Sequence, residues 1–243
     1  MIDRPEFFNG VPIPYGASVA QLLGMIEASG PEKWAAIVAL AHCDADEALD
    51  LLANLAQSSD TYTRRAAIEA IGRQARGHVL GQLVCKRLED SSEYVASAAC
   101  KTAAALKLRA AHGGIQNLLK HRSQALRFVA VQALAVLWRN SDFSKVFQLM
   151  QSDPVDEVRK EAAWMLRKRA LRSNWRLLFD IWYREHPPRH RVWACELAET
   201  FGGSEILPFL AKLSEDRDGH VREAAGRAID IIQERPLDTS LPD

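Results

Sequence analysis

Residues 153–166 read DPVDEVRKEAAWML, a stretch that combines a turn with most of a helix. Asp and Pro at its start are typical of a turn, and Val158, Ala162 and Leu166 then follow at the spacing of one helix face. When Val158 is numbered 0, the same frame recurs at seven places: Glu32, Thr63, Val95, Leu126, Val158, His190 and Val221. Successive copies lie 31 or 32 residues apart, so the stretch is one unit of an internal repeat.

The residue at position +4 is the most regular feature of the repeat. It is alanine in all seven copies: Ala36, Ala67, Ala99, Ala130, Ala162, Ala194 and Ala225. Positions 0, +4 and +8 share one stripe of a helix, so a small residue there predicts close approach by a neighbouring helix. A shorter apolar segment precedes each of these helices, and cap residues stand at position −3 in most copies: Ser29, Asp60, Ser92, Ser123 and Asp218. Each copy is therefore predicted to be a hairpin of two helices.

Stacking of these hairpins is expected, because a hairpin of about 31 residues cannot bury both of its faces alone. The pattern predicts an all-α protein, a right-handed α-solenoid of about seven hairpins over residues 18–234. Residues 1–17, which include Phe7, Phe8 and Tyr15, are predicted to form an N-terminal arm that caps the first hairpin. Residues 235–243 are predicted to be a disordered tail.

Position +1 is basic in six of the seven copies: Lys33, Arg64, Arg127, Arg159, Arg191 and Arg222, with Ala96 as the exception. This ladder has two interpretations, a row of cations for binding anions or a structural ladder that bonds to carboxylates and helix ends. The structural interpretation is favoured, because a residue present in nearly every copy usually serves what every copy needs.

The composition is that of a folded protein, with 48% hydrophobic residues and a net charge of zero. The charge is uneven, since residues 1–60 carry nine acidic and two basic side chains, whereas residues 159–191 carry ten basic and three acidic ones. Four cysteines without a CxxC pair are typical of reduced, mostly buried thiols in a cytoplasmic protein. Neither a signal peptide nor a membrane span is predicted.

The D-x-x-V-R-x-x-A arrangement gives the chain a resemblance to a known family. It is clearest in DGHVREAA (218–225) and in DEVRKEAA (156–163), and it resembles the HEAT-repeat family. The short period is most similar to the HEAT-like repeats of bacterial phycobilin-lyase-type proteins. The resemblance implies an α-solenoid over nearly the whole chain. It leaves the function open, because such repeats occur in scaffolds, lyase subunits, a hydroxylase and DNA glycosylases.

No motif for catalysis or metal binding is present in the sequence. The seven histidines are scattered without an HExxH motif, and no GxSxG or glycine-rich phosphate loop occurs. The iron-binding hydroxylases among HEAT-repeat proteins carry His-Glu pairs, and this chain has no His-Glu dipeptide. We therefore predict no catalytic residue, no metal and no cofactor, and favour a non-enzymatic protein over an enzyme.

The candidate site lies on the exposed face of the second helices. Positions +2, +6 and +9 point away from the buried stripe, and second helices usually line the concave groove of such a solenoid. Six of these residues are predicted to gather near the middle of the groove: Lys101, Phe128, Gln132, Lys160, Trp164 and Arg167. An aromatic residue beside cations is typical of a protein-binding surface, and the cations suit an acidic segment of the partner. In the alternative interpretation Trp164 and Phe128 pack sideways on neighbouring helices or on the arm.

Two other functions remain open. The basic stretch 159–191 contains Trp164, Trp175 and Trp182, with Trp193 just beyond it, and basic residues interleaved with aromatic ones can bind nucleic acid, as DNA-glycosylase-like proteins do. Against this, Trp175 and Trp182 are seven residues apart on one helix face and are predicted to be core. The second alternative, a subunit of a chromophore lyase, is implied by the family resemblance alone.

Overall fold

The computed structural model describes residues 7–28, 30–185 and 187–235, and within them the chain is a succession of helices. It divides into two compact units, Met1–Ala162 and Ala163–Asp243. The helices are α1 (Val19–Glu27), α2 (Glu32–Leu40), α3 (Asp46–Leu55), α4 (Thr61–Arg73), α5 (Gly81–Arg87), α6 (Glu93–Ala105), α7 (His112–Leu118), α8 (Gln124–Leu137), α9 (Phe143–Ser152), α10 (Asp156–Arg169), α11 (Trp175–Trp182), α12 (Pro188–Phe201), α13 (Leu207–Leu213) and α14 (Gly219–Glu234). Odd-numbered helices begin a hairpin and even-numbered helices end one. The predicted all-α fold of repeated helical hairpins is confirmed.

The alanines at position +4 are all fully buried, with a relative exposure of 0% in each copy. Each alanine lies on a second helix, and second helices of successive hairpins pack on one another, as α4 packs on α6 and α6 on α8 in the first unit, and α12 on α14 in the second. A methyl side chain lets the backbones approach closely, whereas a larger one would separate the helices. The predicted burial of this alanine is confirmed in every copy.

Three arginines at position +1 are buried, and each makes the same set of contacts. Nε and Nη2 donate to the two carboxylate oxygens of an aspartate 25 or 26 residues later, in the pairs Arg64–Asp90, Arg127–Asp153 and Arg191–Asp216. Nη1 of Arg127 also donates to the carbonyl oxygens of His121 and Arg122, at 2.9 and 3.0 Å, at the end of the preceding helix. For these three residues the structural interpretation of the ladder is confirmed.

The predicted helix caps are found in two of the copies. Asp60 accepts a hydrogen bond from the backbone N–H of Thr63, and Asp218 accepts from the N–H groups of His220 and Val221. Ser92 and Ser123 also occupy the predicted N-cap position, but neither side chain makes the capping hydrogen bond. The predicted cap at Ser29 lies outside the described residues.

The N-terminal segment contains the strands β1 (Phe7–Phe8) and β2 (Val11–Pro12), which pair antiparallel. Both strands contact α2, and the Tyr15 ring meets the His42 ring edge-on at 5.0 Å. The described part of the predicted arm thus lies against the first hairpin. At the other end, the Arg235 guanidinium donates to the carbonyl oxygen of Gly202 at 2.8 Å. The rest of the predicted tail, residues 236–243, lies outside the described residues, as do residues 1–6.

Candidate partner-binding surface

None of the six predicted groove residues is buried, so all of them present surface on second helices. Lys101, Gln132, Lys160 and Trp164 are exposed, and Phe128 and Arg167 are half-buried. The first four in chain order, Lys101, Phe128, Gln132 and Lys160, belong to the first unit, whereas Trp164 and Arg167 belong to the second.

In the first unit, α6 and α8 pack side by side and carry three of these residues. Lys101 lies on α6, and Phe128 and Gln132 lie one helical turn apart on α8. Lys160, on α10, forms an ion pair with Asp156 one turn earlier in the same helix, and the hydrogen bond from Lys160 is the main reason that the pKa of Asp156 is lowered. The positive charge of Lys160 is therefore partly neutralised within its own helix.

In the second unit, Trp164 is 39% exposed, which is unusual for so large an apolar side chain. The Nζ atom of Lys168 lies 3.9 Å from the centroid of its ring, at the distance of a cation–π contact. Lys168 was not among the predicted groove residues. The signal for it is the spacing of four residues, which places both side chains on one face of α10.

Arg167 is held in place by two neighbours on α12. Its Nη2 atom lies 2.5 Å from Oε2 of Glu196, and its guanidinium lies 5.4 Å from the centroid of the Trp193 ring. The carboxylate offsets the positive charge that was expected to attract an acidic partner. Arg167 therefore contributes a fixed, half-buried planar group to this face, and Lys168 contributes the more exposed cation.

The basic stretch 159–191 offers little aromatic surface for stacking on bases. Trp175 and Trp182 are buried in the second unit, which confirms the prediction that they are core, and Trp193 just after the stretch is buried as well. Arg176 forms an ion pair with Asp180 at 3.0 Å. Of the four tryptophans considered for nucleic-acid binding, Trp164 is the one with a large exposed surface.

The comparisons with known proteins agree with this architecture. Residues 81–167 match the family model of HEAT repeats. The resemblance to HEAT repeats is confirmed. No curated protein matches the sequence significantly.

Several solved structures are similar in fold to this chain. YibA of Escherichia coli is 20% identical with a TM-score of 0.64, and the match covers 89% of this chain and 82% of that one. An archaeal HEAT-like repeats protein from Thermococcus onnurineus is 15% identical with a TM-score of 0.56, covering 89% and 97%. The complex of CpcE and CpcF of phycocyanin lyase from a Nostoc species is 16% identical with a TM-score of 0.53, covering 94% and 99%. At these identities the likeness is one of fold alone.

Within the described ranges, no group of three or more His, Cys, Asp or Glu side chains is placed so that it could hold a metal ion. The four cysteines are free thiols, and burial raises the pKa of Cys100 and of Cys195 to about 12, which keeps both protonated at neutral pH. Across the same ranges, the helices are too short or too polar to cross a membrane.

Proposed function

We propose that this chain is a non-enzymatic scaffold or adaptor that binds a protein partner on the exposed faces of its second helices. The observation that supports this most directly is Trp164, a tryptophan left 39% exposed on a helix that buries its other apolar residues. Tryptophan is enriched among the few interface residues that supply most of the binding free energy. Phe128 on α8 is the second aromatic anchor of the proposal.

The charges near these anchors favour an acidic segment in the partner. Lys101 is exposed and forms no ion pair within the described ranges, and the Lys168 ammonium group lies over the Trp164 ring. Lys160 and Arg167 already have carboxylate neighbours, so we assign to each of them a polar role beside the aromatic anchor of its own unit, and the same role to Gln132 in the first unit. Rim charges chiefly increase the rate of association and the selectivity for the partner, whereas the aromatic anchors supply affinity.

The proposal is tested by identifying the partner and then measuring its affinity for variants. Affinity capture from the native host, with and without nuclease, is followed by mass spectrometry and by titration with the purified partner. Trp164→Ala should weaken binding by about 2 kcal/mol, or about thirtyfold. Leu177→Ala is the control, because Leu177 is an exposed apolar residue on α11, a first helix, and therefore lies outside the second-helix faces that carry the proposed surface.

The outcomes separate this proposal from the alternatives. Equal affinities of the Trp164→Ala and Leu177→Ala proteins for the partner would show that the proposed surface does not bind it. Partners that disappear after nuclease treatment would favour nucleic acid, and a partner that carries a pigment would favour a lyase-type subunit.

A further inference from the structure

A cavity of about 500 Å³ opens in the first unit, where the loop before α7 meets the end of α8. Lys107, Arg109 and His112 line it from one repeat, and Trp138 and Arg139 line it from the next. We propose that this cavity binds a small molecule that carries a phosphate group. The proposal does not rest on the proposed function, since none of these residues belongs to the partner-binding surface.

The charge of the cavity is the first argument. Three of its lining side chains, Lys107, Arg109 and Arg139, are cationic, and no carboxylate is among the lining residues. Within the described part of the chain none of the three forms an ion pair, whereas the three buried arginines of the ladder and Arg167 have carboxylate partners. Cations gathered around one depression repel each other and produce a positive potential inside it. A bound oxyanion is attracted by this potential and reduces the repulsion.

A histidine with a fixed orientation forms part of the cavity wall. His112 is only 5% exposed, and its Nε2 atom lies 2.9 Å from Oδ2 of Asp142. The Asp142 carboxylate is fully buried and also accepts hydrogen bonds from the Gln116 side chain and from the backbone N–H of Arg139. Because the Asp142 carboxylate accepts from Nε2–H, Nδ1 is the ring nitrogen left for a ligand, and it donates to a phosphate oxygen when the ring carries both protons. Nδ1 makes no hydrogen bond to any of the described residues.

The histidine–aspartate pair belongs to one repeat only, unlike the buried alanines. At the position of His112, the neighbouring copies have Gly81 and Ser144, and at the position of Asp142 they have Ala110 and Asn174. A buried polar pair is costly to assemble, and the repeat does not require it for stacking. A feature confined to one copy is therefore better explained by a local task than by the fold.

The size and the apolar wall of the cavity indicate the class of ligand. A volume of about 500 Å³ lies within the range of sites for small organic molecules and is larger than inorganic phosphate needs. Val136 and Trp138 line the same cavity and supply apolar and aromatic surface. A compound with one phosphate group and an organic portion, such as a nucleoside monophosphate, matches both the cationic and the apolar side chains of the cavity.

Calorimetric titration of the full chain in a phosphate-free buffer of low ionic strength provides the test, with adenosine monophosphate and pyrophosphate as probes. Both probes should bind, and Arg109→Gln and Arg139→Gln should each weaken binding about tenfold. Arg73→Gln is the matched control, because Arg73 is an exposed arginine of the same unit outside this cavity. All three positions are exposed, and circular dichroism establishes that each variant is folded.

A second readout follows the ring itself by NMR with carbon-labelled histidine. Saturation with pyrophosphate should shift the His112 resonance and leave that of the exposed His220 unchanged. Absence of heat together with an unshifted His112 resonance would overturn the proposal, as would an equal loss of affinity in Arg73→Gln. A single-stranded oligonucleotide that binds more tightly than both probes, and that is lost in the Arg109 and Arg139 variants, would overturn it in favour of nucleic acid.

Discussion

Arg127 and Asp153 form a two-point ion pair, in which Nε lies 2.6 Å from Oδ2 and Nη2 lies 2.9 Å from Oδ1. The carboxylate also accepts a hydrogen bond from the backbone N–H of Val155 at 2.9 Å, so it fixes the turn that leads into α10. The guanidinium meanwhile satisfies carbonyl groups at the end of the previous helix. One buried pair thus connects the turn between α7 and α8 in one hairpin with the turn between α9 and α10 in the next.

Breaking this pair should destabilise the protein strongly. Arg127→Met leaves the Asp153 carboxylate buried without its partner, and we expect the free energy of unfolding to fall by about 3 kcal/mol. The double variant Arg127→Met/Asp153→Leu should recover part of this loss, because no buried charge then remains. Urea denaturation, monitored by circular dichroism, measures the free energy of unfolding of both variants.

The matched control for this prediction is Arg222→Met. Arg222 also stands at position +1, but it is exposed and donates to the carbonyl oxygens of Asp216 and Arg217 without a buried carboxylate partner. Its replacement should cost less than about 1 kcal/mol. Equal losses of unfolding free energy in Arg127→Met and Arg222→Met would show that the buried carboxylate partner adds nothing to stability.

The same pairs predict how stability depends on pH. Burial alone would raise the pKa of Asp153, but the Arg127 guanidinium and the Val155 N–H lower it below the usual 3.8. The pKa of Asp216 is lowered chiefly by the hydrogen bond from Arg191. The pKa of each aspartate is lower in the folded state than in the unfolded state. The ion pairs therefore stabilise the fold fully when the pH is above the unfolded-state pKa, and this stabilisation is lost as the pH falls through the folded-state pKa.

Urea midpoints measured between about pH 6 and pH 2 should therefore fall steeply below about pH 4. Asp153→Asn removes one of the titrating groups, so the variant should be less stable at neutral pH and show a shallower decline in acid. A variant whose stability declines as steeply as that of the original chain would exclude Asp153 as a source of the pH dependence.

Gly72, in α4, lies close to Thr102 of the neighbouring second helix α6. A Cβ atom placed there would lie 2.8 Å from Oγ1 of Thr102, which is buried and donates to the carbonyl oxygen of Ile68 at 2.9 Å. Gly72→Ala should lower the free energy of unfolding by about 1–2 kcal/mol despite the higher helix propensity of alanine. Gly226→Ala, in α14, meets no atom within 4 Å and should raise it by about 0.5–1 kcal/mol. Thermal unfolding of both variants checks this contrast, and a change in stability of the same sign in both variants would contradict it.

The sequence predicts the fold well because its signals are local and repeated. The alanine at position +4 marks the buried face of each second helix and predicts that another helix packs on that face, and it is buried in every copy. The N-terminal strand pair was missed, although Asn9 and Gly10 between the strands have positive φ angles of 50° and 81° and form a common hairpin dipeptide. Helical periodicity does not detect a turn of two residues.

The contacts of the candidate sites were harder to predict, because most of them join residues in different repeats. Glu196 lies 29 residues after the arginine that it binds, and His112 lies 30 residues before Asp142. Neither pair recurs along the chain, so no periodic signal predicts it. The exposed face of α10 was predictable from helix geometry, whereas the neutralisation of Arg167 required knowledge of how α12 is placed.

The cysteines should differ in their reactivity according to burial. Cys100 and Cys195 are buried thiols whose pKa burial raises to about 12, whereas Cys43 and Cys85 are half-buried and their pKa is raised by burial as well. At about pH 8, iodoacetamide should therefore label Cys43 and Cys85 slowly, and Cys100 and Cys195 only when their helices open. Mass spectrometry of the peptides gives the four rates. In concentrated urea all four should react alike, and native labelling of Cys100 as fast as that of Cys85 would contradict the tight packing of α6.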